Sequence, residues 1–270
     1  MNLFFDEVAK LQEARGVPFS AETIRRFVID NVELPEIIEY KNIPGLAPPF
    51  PIMWFEWSPP VEKVDLDILC GLLMISTQKY DGWEYMAAGW ISSKAYGKGA
   101  KMLPYALKFH IPVSGKIEYF EYQPYTVKPA PHVLDRNPNV SEEEIIDVFV
   151  EGYMAKVFFA IGLLHCKNIV QIEKGGKKPN IKNRRHRSKG TKHYVLDVIP
   201  ARNIKRAEHE QPTKGSPQRI HFRRGHFKEY TSEKPLFGKY TGAFWWEAHV
   251  AGSADIGEVK KDYRILPMQQ

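Results

Sequence analysis

The segment from Arg219 to Tyr230 combines two imidazoles with four cations around a single glycine, in the order Arg-Ile-His-Phe-Arg-Arg-Gly-His-Phe-Lys-Glu-Tyr. In a β-strand, side chains alternate between two faces, so His221 and Arg223 would share one face. One extra residue bulged at Gly225 would bring His226 onto that face too, because glycine reaches positive φ without steric cost. We therefore take His221, His226 and Arg223 as the candidate catalytic residues.

Two imidazoles beside a guanidinium suit the binding or the metal-independent cleavage of a phosphodiester. One imidazole would accept the proton of the 2′-hydroxyl, and the other would protonate the leaving oxygen. Arg223 or Arg224 would neutralise the charge that develops on the phosphate. Binding without cleavage would use the same cations, and the motif is also compatible with the solvated face of an antiparallel strand. The sequence thus leaves open whether the protein is an enzyme.

Metal and cofactor chemistry is not indicated. His221, His226 and His249 lack the helical spacing of ordinary zinc ligands. The chain has no glycine-rich phosphate loop, no H-E-x-x-H and no G-x-S-x-G. We therefore expect neither a metal site nor a cofactor.

A second basic feature is the run from Lys174 to Lys192, which holds nine cations and no carboxylate. The whole chain carries +6, so these nine leave the remainder with −3. A local basic run is typical of a nucleic-acid contact, although it is also compatible with a solvated linker. The predicted nucleic-acid-binding residues of the run and of the motif are Arg184, Arg185, Arg187, Lys192, Arg224 and Lys228.

The composition is that of a folded protein with a substantial core. The chain has 270 residues and is 43% hydrophobic, with no apolar run long enough to span a membrane. Asp6 and Glu7 stand where a signal peptide would need basic residues, so we expect a cytoplasmic protein with no membrane partner. The two cysteines, Cys70 and Cys166, are far apart and are expected to be buried thiols.

The first part of the chain is expected to mix helices with antiparallel strands. The spacing predicts a helix over 2–15 and a second one that begins at Ser20 and includes Ile24, Phe27 and Val28. Asp81-Gly82 predicts a hairpin between strands at 69–80 and 83–92. Ser114-Gly115 predicts another, between 106–113 and 116–122. We expect the aromatics of this sheet, Trp54, Trp57, Trp83, Tyr85 and Trp90, to fill a core rather than form a peptide-binding or base-stacking groove.

The longest helix is predicted to begin at Ser141, which forms a capping box with Glu144. Short strands are expected at 169–172 and 194–199. The resulting fold class is α+β, with a helix and antiparallel sheet body over 1–166 and a basic β-rich C-terminal unit over 167–270. The body is also the candidate region for peptide recognition.

Several short motifs after the long helix follow one another in an order that resembles a family of phage proteins. They are Asn168-Ile169-Val170, Asn183-Arg184-Arg185, Tyr194-Val195-Leu196, His221-x-Arg223-Arg224-Gly225-His226-Phe227, Trp246-x-x-His249-x-x-Gly252 and Gly257-x-Val259-x-Lys261-x-Tyr263. The H-x-R-R-G-H core also resembles the C-terminal part of the type V-A anti-CRISPR that lowers production of the type V effector nuclease. This chain differs from that anti-CRISPR in having Phe227 in place of Trp and Glu247 in place of Pro.

The resemblance implies a phage-type inhibitor of host defence or gene expression in the host bacterial cytoplasm. Such a protein would act on RNA or on translating ribosomes, recognise a nascent polypeptide and promote loss of its mRNA. The alternative hypothesis is a non-catalytic adaptor that binds a host defence protein or a nucleic acid. The expected partners are therefore RNA or the ribosome, a nascent peptide, or a host protein.

Overall fold

The computed structural model describes residues 24–34, 38–59, 68–92, 101–126, 141–175, 192–200, 203–204, 219–251 and 253–258. The chain divides into two compact units, Met1–Val198 and Ile199–Gln270. This boundary lies after the one expected at 166, because the two strands that follow the long helix pair into the sheet of the first unit. The predicted helix over 2–15 lies outside the described residues.

The first unit is a mixed α+β structure with one large sheet and one helical segment. The strands of the sheet are β1 (Arg25–Val28), β2 (Ile52–Trp57), β3 (Leu69–Lys79), β4 (Gly82–Ser92), β5 (Lys101–Pro112), β6 (Gln123–Thr126), β7 (Ile169–Lys174) and β8 (His193–Val198). Their order is β6-β5-β4-β3-β2-β1-β8-β7. All neighbours are antiparallel except β1, which runs parallel to both β2 and β8. A short 3₁₀ turn, Tyr40–Asn42, precedes β2.

The hairpin predicted around Asp81 is confirmed, with its turn displaced by one residue. Lys79 pairs with Gly82, so the two-residue turn is Tyr80-Asp81. Gly82 has φ +149°, and a Cβ there would lie only 2.1 Å from the carbonyl oxygen of Ile111. Glycine is therefore required at this position for two reasons: its positive φ, and the close approach of the β5 backbone, which leaves no room for a Cβ.

The second predicted hairpin is wrong in its partner strand. The partner of β5 is β6, not residues 116–122. Phe120 packs against Phe109 and Phe158, with ring centroids 5.1 and 4.9 Å apart. The ring of Phe120 thus packs on the helix and on β5 while residues 116–122 stay outside the ladder, and pairing resumes only at Gln123.

The helix expected after Ser20 is also contradicted where the chain is described, since residues 25–28 form β1. Phe27 is fully buried and stacks on Phe55 with ring centroids 5.3 Å apart. The spacing of the apolar residues favours a helix here, whereas pairing with β2 and β8 on either side favours a strand. Tertiary burial decides the outcome, as it often does for a short segment.

The long helix is confirmed and contains a π-helical turn. It comprises α1 (Glu142–Phe149), the π turn Val150–Met154 and α2 (Ala155–Leu164). The capping box of Ser141 with Glu144 is present. Tyr153 packs on Trp57 with ring centroids 5.1 Å apart, which fixes the helix on one face of the sheet.

Four of the five sheet aromatics lie in the core, and Trp83 is half-buried. Trp54, Trp57, Tyr85 and Trp90 are each 3% exposed or less, so these four residues cannot form a groove. Trp54 and Trp90 belong to a cluster on the face opposite the helix, together with Ile24, Leu73, Ala88 and Ala106.

The same face holds a buried ion pair. Glu56, only 5% exposed, accepts hydrogen bonds from Arg26 at 2.5 Å and from the Trp54 indole at 2.7 Å. A carboxylate is tolerated in this apolar layer because both of its oxygens have donors.

Candidate nucleic-acid interface

The motif Arg219 to Tyr230 forms one side of a two-sided antiparallel ribbon and consists of β9 (Arg219–Arg223) and β10 (His226–Tyr230). The other side consists of β11 (Gly242–Trp246) and β12 (His249–Ala251). Arg223 pairs with His249, and His226 pairs with Trp246. Residues 223 and 226 are three positions apart, and so are their partners 249 and 246. The same pairing register therefore continues across the break between β9 and β10. We call residues 219–230 and 242–251 the ribbon. A further strand, β13 (Ser253–Glu258), pairs with the start of β9.

The bulge predicted at Gly225 is wrong. Two residues, Arg224 and Gly225, lie between the paired positions 223 and 226, and two residues, Glu247 and Ala248, lie opposite them on the other strand, so no residue is inserted. Gly225 also does not have a positive φ. A Cβ at this position would lie 2.6 Å from Cζ2 of the Trp245 ring. The glycine is therefore needed for the close approach of a side chain and not for a special backbone conformation.

Without an inserted residue, period-two alternation assigns the ribbon's side chains to two faces. The His–Arg face consists of His221, Arg223, Glu247 and His249. The aromatic–basic face includes Phe222, Arg224, His226, Lys228, Tyr230, Trp246 and Val250, together with Phe244, which pairs with Lys228 and is buried. The predicted catalytic residues are thus divided, with His226 on the face opposite His221 and Arg223.

The His–Arg face is built around a contact between Arg223 and His221. Nε of Arg223 donates to Nε2 of His221 at 3.2 Å, and Nδ1 of His221 donates to the carbonyl of Arg219 at 2.8 Å. These two bonds define the tautomer, because the ring nitrogen that faces an N–H group must be the acceptor. His221 therefore orients the guanidinium of Arg223.

His226 and His249 repeat the same local bond on opposite faces. Nδ1 of His226 lies 3.0 Å from the carbonyl oxygen of Arg224, and Nδ1 of His249 lies 2.9 Å from that of Glu247. Both imidazoles are exposed, and within the described residues Nε2 of neither ring makes a hydrogen bond. Within the described residues, no hydrogen bond joins His221 to His226.

The aromatic–basic face alternates ring-bearing and cationic side chains along β9 and β10. Phe222 is 66% exposed, and Val250, its neighbour on the other strand, is 63% exposed. Lys228 Nζ lies 4.9 Å from the centroid of the Tyr230 ring. Opposite His226, the buried Nε1 of Trp246 has no hydrogen-bond partner. The face thus offers exposed rings and cations together.

Sequence reasoning gave no role to Glu247 and considered His249 only as a zinc ligand. Both could have been placed beside Arg223 by pairing Phe227 with Trp245, whose rings are 4.8 Å apart, and by extending that register. The expectation of a bulge at Gly225 prevented this step.

The basic run is represented in the described residues only at its ends. Arg184, Arg185 and Arg187 lie outside them. Lys192 is 2.9 Å from Glu173, which also accepts from Tyr194 at 3.0 Å. Hydrogen bonding to Lys192 lowers the pKa of Glu173, and the same bond raises the pKa of Lys192. A phosphate at Lys192 would therefore compete with a carboxylate of its own unit.

The first unit carries an open groove of about 820 Å³ beside β5 and residues 116–123. Its wall includes Glu118, Tyr119 and Glu121, all exposed. The described residues contain no ion pair to either glutamate. In the described part of the chain, no cluster of three His, Cys, Asp or Glu side chains is arranged to hold a metal ion.

The fold and site describe a two-unit protein in which a mixed α+β unit is followed by a unit with a two-faced ribbon. No family model, curated protein or solved structure matches this chain. Among the described residues, no helix has the length and apolar character needed to cross a membrane.

Proposed function

We propose that this protein binds single-stranded RNA through the aromatic–basic face of the ribbon. The observation that carries the proposal is the alternation of Phe222, Arg224, His226, Lys228 and Tyr230 along one face of a strand. Exposed rings and cations in alternation are the composition with which sheets bind single strands.

Each class of side chain has a distinct task. Arg224 and Lys228 neutralise phosphates, and the counterions released make binding depend on salt. Unpaired bases stack on Phe222, whose exposed ring lies opposite Val250 on the partner strand. Duplex RNA would not be favoured, because its bases are not free to stack on protein rings.

The wider role follows from the family resemblance of the H-x-R-R-G-H motif. We propose a phage-type inhibitor that acts on RNA or translating ribosomes in the host cytoplasm. Recognition of a nascent peptide and loss of its mRNA would require a second contact besides the RNA. Arg184, Arg185 and Arg187 remain proposed phosphate ligands of the same RNA.

A second candidate function is that of a peptide-binding adaptor, which the groove beside β5 favours. Its exposed carboxylates at Glu118 and Glu121, together with Tyr119, suit a basic extended peptide. The two functions are compatible, because one unit would bind the peptide and the other the RNA.

Fluorescence anisotropy with a labelled single-stranded RNA tests RNA binding. Replacing both Arg224 and Lys228 by Ala should weaken binding and reduce the slope of log K against log salt by about 0.7 per cation. Phe222→Ala should cost about 1–3 kcal/mol of binding and leave the salt slope unchanged.

Matched controls are Lys79→Ala and Tyr80→Ala, which alter exposed residues of the first unit. Both should bind like wild type. Equal losses from Lys79→Ala and from the paired substitution on the ribbon would refute the assignment to this face.

A further inference from the structure

We propose that the His–Arg face is a cleavage site for RNA phosphodiester bonds. Glu247 is the general base, His249 is the general acid, and Arg223 binds the reacting phosphate. The inference rests on the proposed function, because the substrate is RNA bound by the same ribbon. It assigns a role to Glu247 and replaces the expected pairing of His221 with His226.

The register brings the three groups together. Arg223 and His249 are directly paired across the strands. Opposed Cβ atoms in such pairs are about 4.5–5.5 Å apart, and diagonal neighbours are about 7–8 Å apart. Glu247 precedes His249 by two positions on the same face, so it is a diagonal neighbour of Arg223. One phosphate above Arg223 can therefore contact all three side chains, each of which is exposed.

The hydrogen bonds of the face assign different tasks to its two imidazoles. The bond from Nδ1 of His249 to the Glu247 carbonyl holds that ring and leaves Nε2 available for proton transfer. The Nε2 of His221 already accepts from Arg223. His221 is thus a positioning residue for the guanidinium and does not exchange protons with the substrate.

The charges of the face suit this division of labour. Glu247 forms no ion pair within the described residues, so its carboxylate remains available as a base. A guanidinium one strand away binds the non-bridging oxygens of a phosphate. The developing negative charge of the transition state therefore meets a fixed cation.

The chemical step is an internal transesterification. Glu247 removes the proton of the 2′-hydroxyl as its oxygen attacks phosphorus. The bond from phosphorus to the 5′-oxygen breaks, and the imidazolium of His249 gives its Nε2 proton to that oxygen. The products are a 2′,3′-cyclic phosphate and a 5′-hydroxyl. Proton exchange with water then restores Glu247 and His249.

The test uses the full-length protein and a single-stranded RNA oligonucleotide labelled at its 5′ end. Wild type should produce fragments that end in a 2′,3′-cyclic phosphate, in the presence of a metal chelator. Glu247→Gln and His249→Ala should each slow cleavage by about 10²–10⁴-fold. RNA affinity, measured by anisotropy, should stay within a factor of two. A bell-shaped pH profile should lose one limb in each variant.

Two further substitutions separate catalysis from positioning and folding. His221→Ala should reduce cleavage and weaken phosphate binding, whereas His221→Gln should restore part of both by offering Arg223 an acceptor. Glu229→Gln on the ribbon and His110→Ala in the first unit are controls that should cleave like wild type. Glu247→Asp should retain part of the activity, since it keeps a carboxylate.

Three results would overturn the inference. They are an RNA that is bound and left intact, cleavage of an oligonucleotide without 2′-hydroxyls, and full activity in the Glu247→Gln and His249→Ala proteins. Absence of RNA binding in wild type would instead refute the proposed function itself.

Discussion

Gly225→Ala is the substitution that most sharply tests the geometry of the ribbon. The added methyl would lie 2.6 Å from Cζ2 and 2.9 Å from Cη2 of Trp245. The ring is only 9% exposed and packs on Phe227, so it cannot move aside freely. Overpacking of this kind costs about 1–3 kcal/mol.

The substitution also has a stabilising effect, because alanine lowers the conformational entropy of the unfolded chain. Replacing glycine by alanine stabilises by about 0.4–1 kcal/mol where the native backbone tolerates a side chain. Gly225 needs no positive φ, so this gain applies in full. We therefore expect a net loss of up to about 2.6 kcal/mol in the free energy of unfolding.

The assay is urea denaturation of wild type, Gly225→Ala, Trp245→Leu and the double variant. A smaller side chain at 245 relieves the contact, so the cost of Gly225→Ala should fall by about 1 kcal/mol or more in the Trp245→Leu background. An equal cost in both backgrounds would refute the reasoning, because backbone strain at residue 225 does not depend on Trp245.

Two other predictions concern the first unit. Glu56→Leu should lower the free energy of unfolding by about 3–5 kcal/mol, because it removes the carboxylate that accepts from Arg26 and from the Trp54 indole; a loss below 1 kcal/mol in urea denaturation would contradict the role of this ion pair. Burial raises the pKa of Cys166 from 9.0 to about 12. The neutral thiol of the native state is then disfavoured relative to the unfolded thiolate as the pH rises. Wild type should therefore lose stability between pH 9 and pH 12 more steeply than Cys166→Ala does, and parallel curves would contradict this.

Local signals determined much of the first unit. The hairpin at Tyr80-Asp81 and the helix that begins at Ser141 rest on turn and capping chemistry within a few residues, and both are confirmed. The strand over 25–28 could not be predicted in this way. Its helical spacing is overridden by parallel partners from two distant parts of the chain.

The candidate site shows the same division between local and distant causes. The residue types at His221, Arg223 and His226 indicated anion chemistry, and Arg223 does contact His221. Which side chains share a face depended on whether one residue is inserted near Gly225. That question was settled by the register, in which Arg223 pairs with His249 and His226 pairs with Trp246 on the opposite strand. Glu247 gained its proposed role only from the resulting register.

Photo-crosslinking tests the central claim most directly. Wild-type protein would be irradiated with a single-stranded RNA that carries 4-thiouridine, and the crosslinked peptides would be identified by mass spectrometry. The aromatic–basic face predicts crosslinks at Phe222, Tyr230 or Trp246, which disappear when an excess of unlabelled single strand is added. Crosslinks confined to the first unit, or none above a bovine albumin control, would contradict RNA binding by the ribbon.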